Sequence, residues 1–469
     1  MRRTTGISAA FVAVALVAGC GGGADSAASG PGPAQPPTSA AASAGGTPSS
    51  PALGTSSSPA PASSSAVSSS AAASSDAPTS AAADPGAAAT TSSAADASRT
   101  ATAASAKRTT YAVFGSGTPV RSSFFGMHDH NPLSWPSAPV GAIRLWDSGV
   151  NWREIETSPG SFRFGRLDRA VATARSHGAQ PLIVLGMTPS FHAQRPRAAS
   201  FYGGGASSPP KIRAWQRYVR TVVRRYGSAA SYQVWNEANV TGFWSGSQAE
   251  MARLTKATYD VVRSVSRTAR VVAPAYVTRT ATQRRLLGRF YAQRVAGRPV
   301  ASFVDVVSLQ LYPSRTGTPE TSMQALAADR AILAARGVRK PIWNTEINYG
   351  LVAGRVAAKP GDVQRAYVAR TFLLNAASGI QRVFWYAWDS GNVANTRMTY
   401  SSGAVGPGGT ALRVVRGWMT GQRMHTCQRL TGGTYLCTLT SSGSVRRVFW
   451  NPSRTASVGL PVGARTVHR

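Results

Sequence analysis

Carboxylates are scarce in this sequence, so their placement is informative: of 469 residues, 18 are Asp or Glu against 51 Lys or Arg. The glutamates are Glu154, Glu156, Glu237, Glu250, Glu320 and Glu346. Glu250 and Glu320 fall at expected helix starts, where negative charge stabilises the first turn. Glu154 and Glu156 sit in a loop-to-helix segment. Glu237 and Glu346 differ from all of these. Each directly follows a short apolar run with an aromatic and an asparagine, in Val234-Trp235-Asn236-Glu237 and Ile342-Trp343-Asn344-Thr345-Glu346. Two carboxyl groups held about 5–5.5 Å apart suffice for double-displacement glycoside hydrolysis, one as nucleophile and the other as acid, then base. A strand-end glutamate that merely pairs with an arginine is the plainer alternative.

Positioning such a pair needs a scaffold that collects residues 109 positions apart. From Ser122 onward, short apolar runs alternate with longer amphipathic segments. The runs are Phe124–Met127, Ala142–Leu145, Leu182–Leu185, Tyr232–Trp235, Val271–Ala273, Val304–Leu309, Pro341–Trp343 and Val383–Ala387. Between them Trp215, Tyr218, Val219, Val222 and Tyr226 recur on one helical face, as do Leu167, Ala170, Val171 and Ala174, and Met251, Leu254, Thr258, Tyr259 and Val262. Eight buried strands alternating with helices predict an α/β fold that closes as a (β/α)8 TIM barrel. Only about a dozen residues separate the first two runs, with Pro132, Pro136 and Pro139 among them, so that crossover lacks a full helix. A doubly wound open sheet would need a Gly-rich nucleotide loop after its first strand, and none occurs. In a barrel, strand C-termini face the active site, and Glu237 and Glu346 end the fourth and seventh strands.

The segment Gln233-Val-Trp-Asn-Glu-Ala-Asn239, with Trp343-Asn-Thr-Glu346, resembles the clan A glycoside hydrolases. Within the clan it is most similar to glycoside hydrolase family 39 and its relatives, which include β-xylosidases, α-L-iduronidases and bacterial exopolysaccharide hydrolases. The resemblance spans roughly residues 122–420. It implies that Glu237 is the acid/base, that Glu346 is the nucleophile, and that Asn236 hydrogen-bonds the sugar 2-hydroxyl. It further implies that Tyr312 hydrogen-bonds the nucleophile, that Trp388 lies beneath the reacting sugar, and that Arg144 keeps the nucleophile ionised. By opposite-charge logic the nucleophile needs a depressed pKa and the acid a raised one. Trp235 or Trp385 serves as barrel packing or as a further sugar platform. His128-Asp129-His130, after the first strand, has the look of a metal motif but lacks further ligands. His128 and His130 are therefore assigned to sugar hydroxyls, and no metal or cofactor is expected. His192 either lines the cleft or is simply an exposed loop residue. A serine nucleophile is disfavoured, because the folded region has no Gly-x-Ser-x-Gly.

Residues 1–19 read as a signal peptide, with Arg2 and Arg3 before a short apolar stretch. Leu16-Val17-Ala18-Gly19-Cys20 resembles a bacterial lipobox, which implies lipid on Cys20 and a membrane-anchored protein facing the cell wall or extracellular space. Residues 20–107 are almost wholly Ala, Ser, Gly, Pro and Thr and read as a disordered spacer with an end-to-end distance of roughly 50 Å. The barrel is expected over 108–420. A small β domain follows over 421–469, with strands at Gln428–Leu430, Thr434–Thr440, Val445–Trp450 and Ala456–Leu460. Cys427 and Cys437 flank a Thr-Gly-Gly-Thr turn and suit a disulfide in an exported protein.

The formal net charge is +33, and because residues 1–107 hold as many acids as bases the whole surplus falls in the folded part. Scattered over helices, these arginines suit a solvated basic surface with some attraction to wall polyanions rather than a nucleic-acid site, whose partner export removes. The expected protein is a monomeric retaining glycosidase acting on an extracellular or cell-wall polysaccharide. A wall-glycan-binding lipoprotein without chemistry and a transglycosylase using the same site are the rival readings.

Overall fold

The computed structural model describes residues 119–350, 357–389, 394–459 and 464. Cys20, the export signal, the spacer and residues 351–356 and 390–393 lie outside these residues. Eight parallel strands form one sheet: β1 (Phe125–His128), β2 (Ala142–Leu145), β3 (Gln180–Leu185), β4 (Ser231–Val234), β5 (Val271–Val272), β6 (Val307–Leu309), β7 (Ile342–Ile347) and β8 (Arg382–Trp385). Their order is β6-β7-β8-β1-β2-β3-β4-β5. The parallel bridges Val272–Val306 and Val277–Gln310 bring β5 back to β6 and close the ring. The expected barrel is therefore the observed one. Its interior holds Ala142, Leu182, Val272, Val306, Trp343 and Phe384, which form a cluster separate from the larger apolar layer between strands and helices.

The helices form where the apolar stripes predict. Helix α1 (Gly165–Ser176) buries Leu167, Ala170, Val171 and Ala174. Helix α2 (Ile212–Tyr226) buries Trp215, Tyr218, Val219 and Val222, turns its arginines outward, and stops at Gly227 with φ 51°. Burial of each large side chain in that stripe contributes about 2 kcal/mol. Helix α3 (Gln248–Val265) starts at a reciprocal cap, in which Glu250 N–H donates to Ser247 Oγ and Ser247 N–H donates to the Glu250 carboxylate. Glu250 is thus a capping residue. Helices α4 (Ala281–Tyr291), α5 (Pro319–Ala334), α6 (Gly361–Ala377) and α7 (Pro407–Met419) complete the outer layer. No helix joins β1 to β2, as the prolines there require.

Strands β9 (Arg423–Arg429), β10 (Tyr435–Ser441) and β11 (Ser444–Trp450) form an antiparallel sheet. Cys427 and Cys437 are direct cross-strand partners and are disulfide-bonded. The sheet shares the barrel's apolar layer through Met424, Cys427, Tyr435, Cys437 and Leu439. A buried Glu320–Arg370 ion pair between α5 and α6 also receives Trp450 Nε1–H at 2.9 Å, so Glu320 does more than start a helix. The fourth strand expected at Ala456–Leu460 does not form over residues 456–459. Asn451 Oδ1 accepts from Ser453 N and Arg454 N, and this side-chain turn breaks the chain away from β11 after Pro452.

Candidate active site

Glu346 owes its aim to an irregularity. The β7–β8 register shifts between Asn344 and Ile347, and such a bulge redirects a side chain. Thr345 Oγ1 therefore meets Ser308 Oγ inside the barrel at 2.6 Å, while the adjacent Glu346 also reaches the mouth. There its Oε1 accepts from Tyr312 OH at 2.7 Å, and its Oε2 accepts from Arg144 Nη1 at 2.8 Å and Gln310 Nε2 at 3.1 Å.

Arg144 is fully buried near the end of β2 and is itself held on three sides. Its Nε donates to Gln233 Oε1 at 2.7 Å and its Nη2 to Asn236 Oδ1 at 2.7 Å. Gln310 Nε2 donates to the same Asn236 oxygen at 3.0 Å. The Asn236 oxygen is thus occupied, and its amide N–H2 is the end left to donate. One connected network therefore joins the end of β4 to Glu346 on β7.

Glu237 follows directly on Asn236, and its setting is the reverse. Its carboxyl is buried, and Oε2 has no hydrogen-bond partner. The turn that delivers it is left-handed at Trp235 (φ 78°) and Glu237 (φ 43°), and Asp147 (φ 59°) after β2 and Met187 (φ 63°) after β3 share that conformation. Non-glycine residues held at positive φ cost energy that the surrounding fold must offset, and they gather at functional mouths. Trp235 and Trp385 are fully buried, which makes both of them packing residues.

Burial raises the pKa of Glu237 well above the usual carboxylate range, and the Glu346 charge raises it further, with Arg279 and Arg144 opposing. Burial also raises Glu346, against Arg144 and Tyr312, which pull it down. The expectation of a depressed nucleophile pKa is corrected here: desolvation outweighs the arginine. What the donors preserve is the order, in which Glu346 loses its proton before Glu237 does. Such an order is what a pair of carboxyls needs for one to act as a base or nucleophile while the other holds a proton.

His128 lies behind Glu346, its Nε2 4.0 Å from Oε2. The same Nε2 lies 3.1 Å from the Thr345 carbonyl, which only accepts, and 3.3 Å from Arg144 Nη1, which only donates. The ring is 1% exposed, and burial and Arg144 hold its pKa well below the usual range. His130 stands at the rim, with Nδ1 on Asp389 Oδ1 at 2.6 Å and Nε2 at 3.1 Å from Tyr386 OH. Burial lowers its pKa, but Asp389 raises it to a net upward shift. Trp388 is 8% exposed just past β8 and donates its backbone N–H to the His128 carbonyl at 2.8 Å. His192 neither lines this mouth nor is exposed in its loop. It is buried, with Nε2 on Glu156 Oε1 at 3.0 Å and its ring stacked on Trp152.

Four further groups at or near the mouth escaped sequence reasoning: Gln310, Asp147, Arg279 and Asp389. Asp147 accepts from Tyr202 OH and from Tyr386 OH, and burial pushes its pKa up to about 7. A signal for it existed. It follows β2 in Leu145-Trp146-Asp147, so the strand-end rule applied to glutamates would have found it. Gln310 and Arg279 carry no comparable mark.

An eight-stranded barrel with a supported carboxylate on β7 and an unpartnered carboxyl on β4 defines a class, the clan A glycoside hydrolases. Residues 143–372 match the family described as Glycosyl hydrolases family 39. The fold is similar to that of a family 39 glycoside hydrolase from Bacteroides cellulosilyticus WH2, at 17% identity and TM-score 0.56 over 71% of each chain. A monomeric β-xylosidase from Caulobacter crescentus matches at 16% identity and TM-score 0.52, over 68% of this chain and 74% of that one. A glucosidase from Croceicoccus marinus matches at 16% identity and TM-score 0.51, over 70% and 77%. No curated protein matches the chain. The chain is a glycosidase.

Proposed function

We propose that this protein hydrolyses glycosidic bonds of an extracellular or cell-wall polysaccharide by double displacement, from a lipid anchor at Cys20. Glu346 attacks the anomeric carbon while Glu237 protonates the departing oxygen. Glu237, now a carboxylate, then takes a proton from the water that releases the sugar. Asn236 donates to the 2-hydroxyl, and Trp388 offers an aromatic face to the ring. One observation carries this reading. Arg144 and Gln310 each bond both Glu346 and Asn236, so the nucleophile and the residue preceding the acid are held as one unit.

The export reading rests on the sequence of residues 1–20 and the spacer composition. A panel of aryl glycosides and bacterial wall and exopolysaccharide fractions, followed by NMR of the first-formed sugar, tests the chemistry. Retained anomeric configuration is expected; inverted product, or binding without cleavage on every substrate, refutes it. Longer oligosaccharide products would instead identify transglycosylation.

A further inference from the structure

A guanidinium withdrawn from water needs an acceptor, because its hydration is lost and its charge persists. The buried Arg144 and Arg370 obey this rule, each gripping a carboxylate. Arg279 does not. It is half-buried: its Nε is buried with no partner, its two terminal nitrogens face the mouth, and among the described residues no carboxylate lies within ion-pair distance and no atom accepts a hydrogen bond from it. Its guanidinium lies over the face of Tyr312, 5.2 Å from the guanidinium carbon to the ring centre.

The backbone that presents Arg279 is fixed. Thr278 Oγ1 donates to the buried Asp329 at 2.6 Å, and the Thr278 carbonyl accepts from Arg284 Nη1 at 2.7 Å. One residue earlier, Val277 is clasped by Asn239, whose Nδ2 donates to its carbonyl at 2.6 Å and whose Oδ1 accepts its N–H at 3.2 Å. Asn239 belongs to the same loop as the acid/base. Arg279 is thereby keyed to the position of Glu237, and such rigidity suits recognition of a ligand group more than a solvated side chain.

The placement also selects a side of the scissile bond. Arg279 follows β5, next to the strand that carries Glu237, and its charge acts on Glu237 more than on Glu346. The other charged groups of the mouth, Asp129, Asp147, His130 and Asp389, come from β1, β2 and β8, across the barrel. Because the acid protonates the departing oxygen, the leaving sugar sits on the Glu237 side.

We propose that Arg279 receives the carboxylate of an acidic sugar in the leaving-group position, so that the substrate is a uronate-containing glycan cut immediately before the uronate. This deepens the hydrolase reading and rests on it. A carboxylate fits better than a phosphate monoester, because one negative charge matches one guanidinium. The pairing has a consequence for the acid. Arg279 lowers the Glu237 pKa in the free protein. A bound carboxylate neutralises that effect, so Glu237 keeps its proton to higher pH when the leaving group is acidic.

The test uses the glycoside the protein cleaves best, made with 3-carboxyphenyl, 3-carbamoylphenyl and 3-phosphonophenyl leaving groups. Losing a charged hydrogen-bond partner corresponds to roughly 10- to 100-fold. Arg279→Gln should lower kcat/KM by that factor more on the carboxyphenyl than on the carbamoyl substrate, with Arg279→Lys between them. The alkaline limb of kcat should lie higher for the carboxyphenyl substrate in the parent protein, and the difference should vanish in the variant. An equal loss on both substrates overturns the proposal, as does a phosphonate preference equal to the carboxylate one. If no glycoside is cleaved, the hydrolase reading fails by itself. Calorimetric titration with trigalacturonate and its methyl ester then still reads Arg279: tighter binding of the acid, lost in Arg279→Gln and partly kept in Arg279→Lys, supports the site, and equal binding refutes it.

Discussion

At the end of β7 the Glu346 carboxylate receives three donors, from Arg144, Gln310 and Tyr312; at the end of β4 the Glu237 carboxyl keeps one buried oxygen with none. Both sites are desolvated, so burial alone does not separate them. The separation comes from what surrounds each oxygen. Donors favour the charged form, while an apolar wall beside a neighbouring negative charge favours the proton. Two identical side chains thus acquire different proton affinities from their settings.

The sharpest way to break the comparison is to remove each carboxyl in turn. Glu346→Ala should lower kcat by at least about 10⁴-fold on every glycoside. Azide should restore turnover by occupying the vacated side, giving a glycosyl azide of inverted configuration. Glu237→Gln should cost roughly 10²–10⁴-fold on substrates with poor leaving groups and less when the leaving group needs no proton. Azide should rescue it with retained configuration. If the configurations of the two azide products are exchanged, the roles assigned here are reversed.

A smaller change sharpens the comparison through pH. The rate should follow a bell, with Glu346 ionisation on the acid limb and Glu237 deprotonation on the alkaline limb, both displaced upward by burial. Tyr312 lowers the Glu346 pKa by donating to it, so Tyr312→Phe should move the acid limb to higher pH and narrow the bell from that side. The kcat/KM profile checks this; an unmoved acid limb would detach Tyr312 from the nucleophile.

The smallest expected effect on chemistry lies outside both strand ends. Cys427→Ser together with Cys437→Ser opens a disulfide of sequence separation 10 and should lower stability by about 3 kcal/mol. The limbs of the pH profile should stay in place, because the bonded pair packs beside α6, with Cys427 Sγ near the Leu373 carbonyl, rather than at the mouth. Denaturant unfolding and a repeated pH profile would separate the two readouts.

Much of the architecture was legible because buried parallel strands and one-sided helices leave periodic marks: every barrel strand overlaps its apolar run, and α2 follows its aromatic stripe. The last C-terminal strand misled because Ala456–Leu460 reads as β-compatible, while the Asn451 side-chain turn decides that the chain leaves the sheet. His192 misled because a polar residue in a loop-like segment gives no sign that Glu156, thirty-six positions earlier, is waiting for it.

The order of residues by itself placed Glu237 and Glu346 at strand ends, each in an aromatic-asparagine context. Local pattern carries that much because strand period and chain direction are local properties. Only the closed barrel decided that Arg144 reaches the nucleophile, that Gln310 ties it to Asn236, and that Arg279 is left without a partner. Those contacts join residues from different strands, and whether a buried charge finds an acceptor depends on the atoms around it in space.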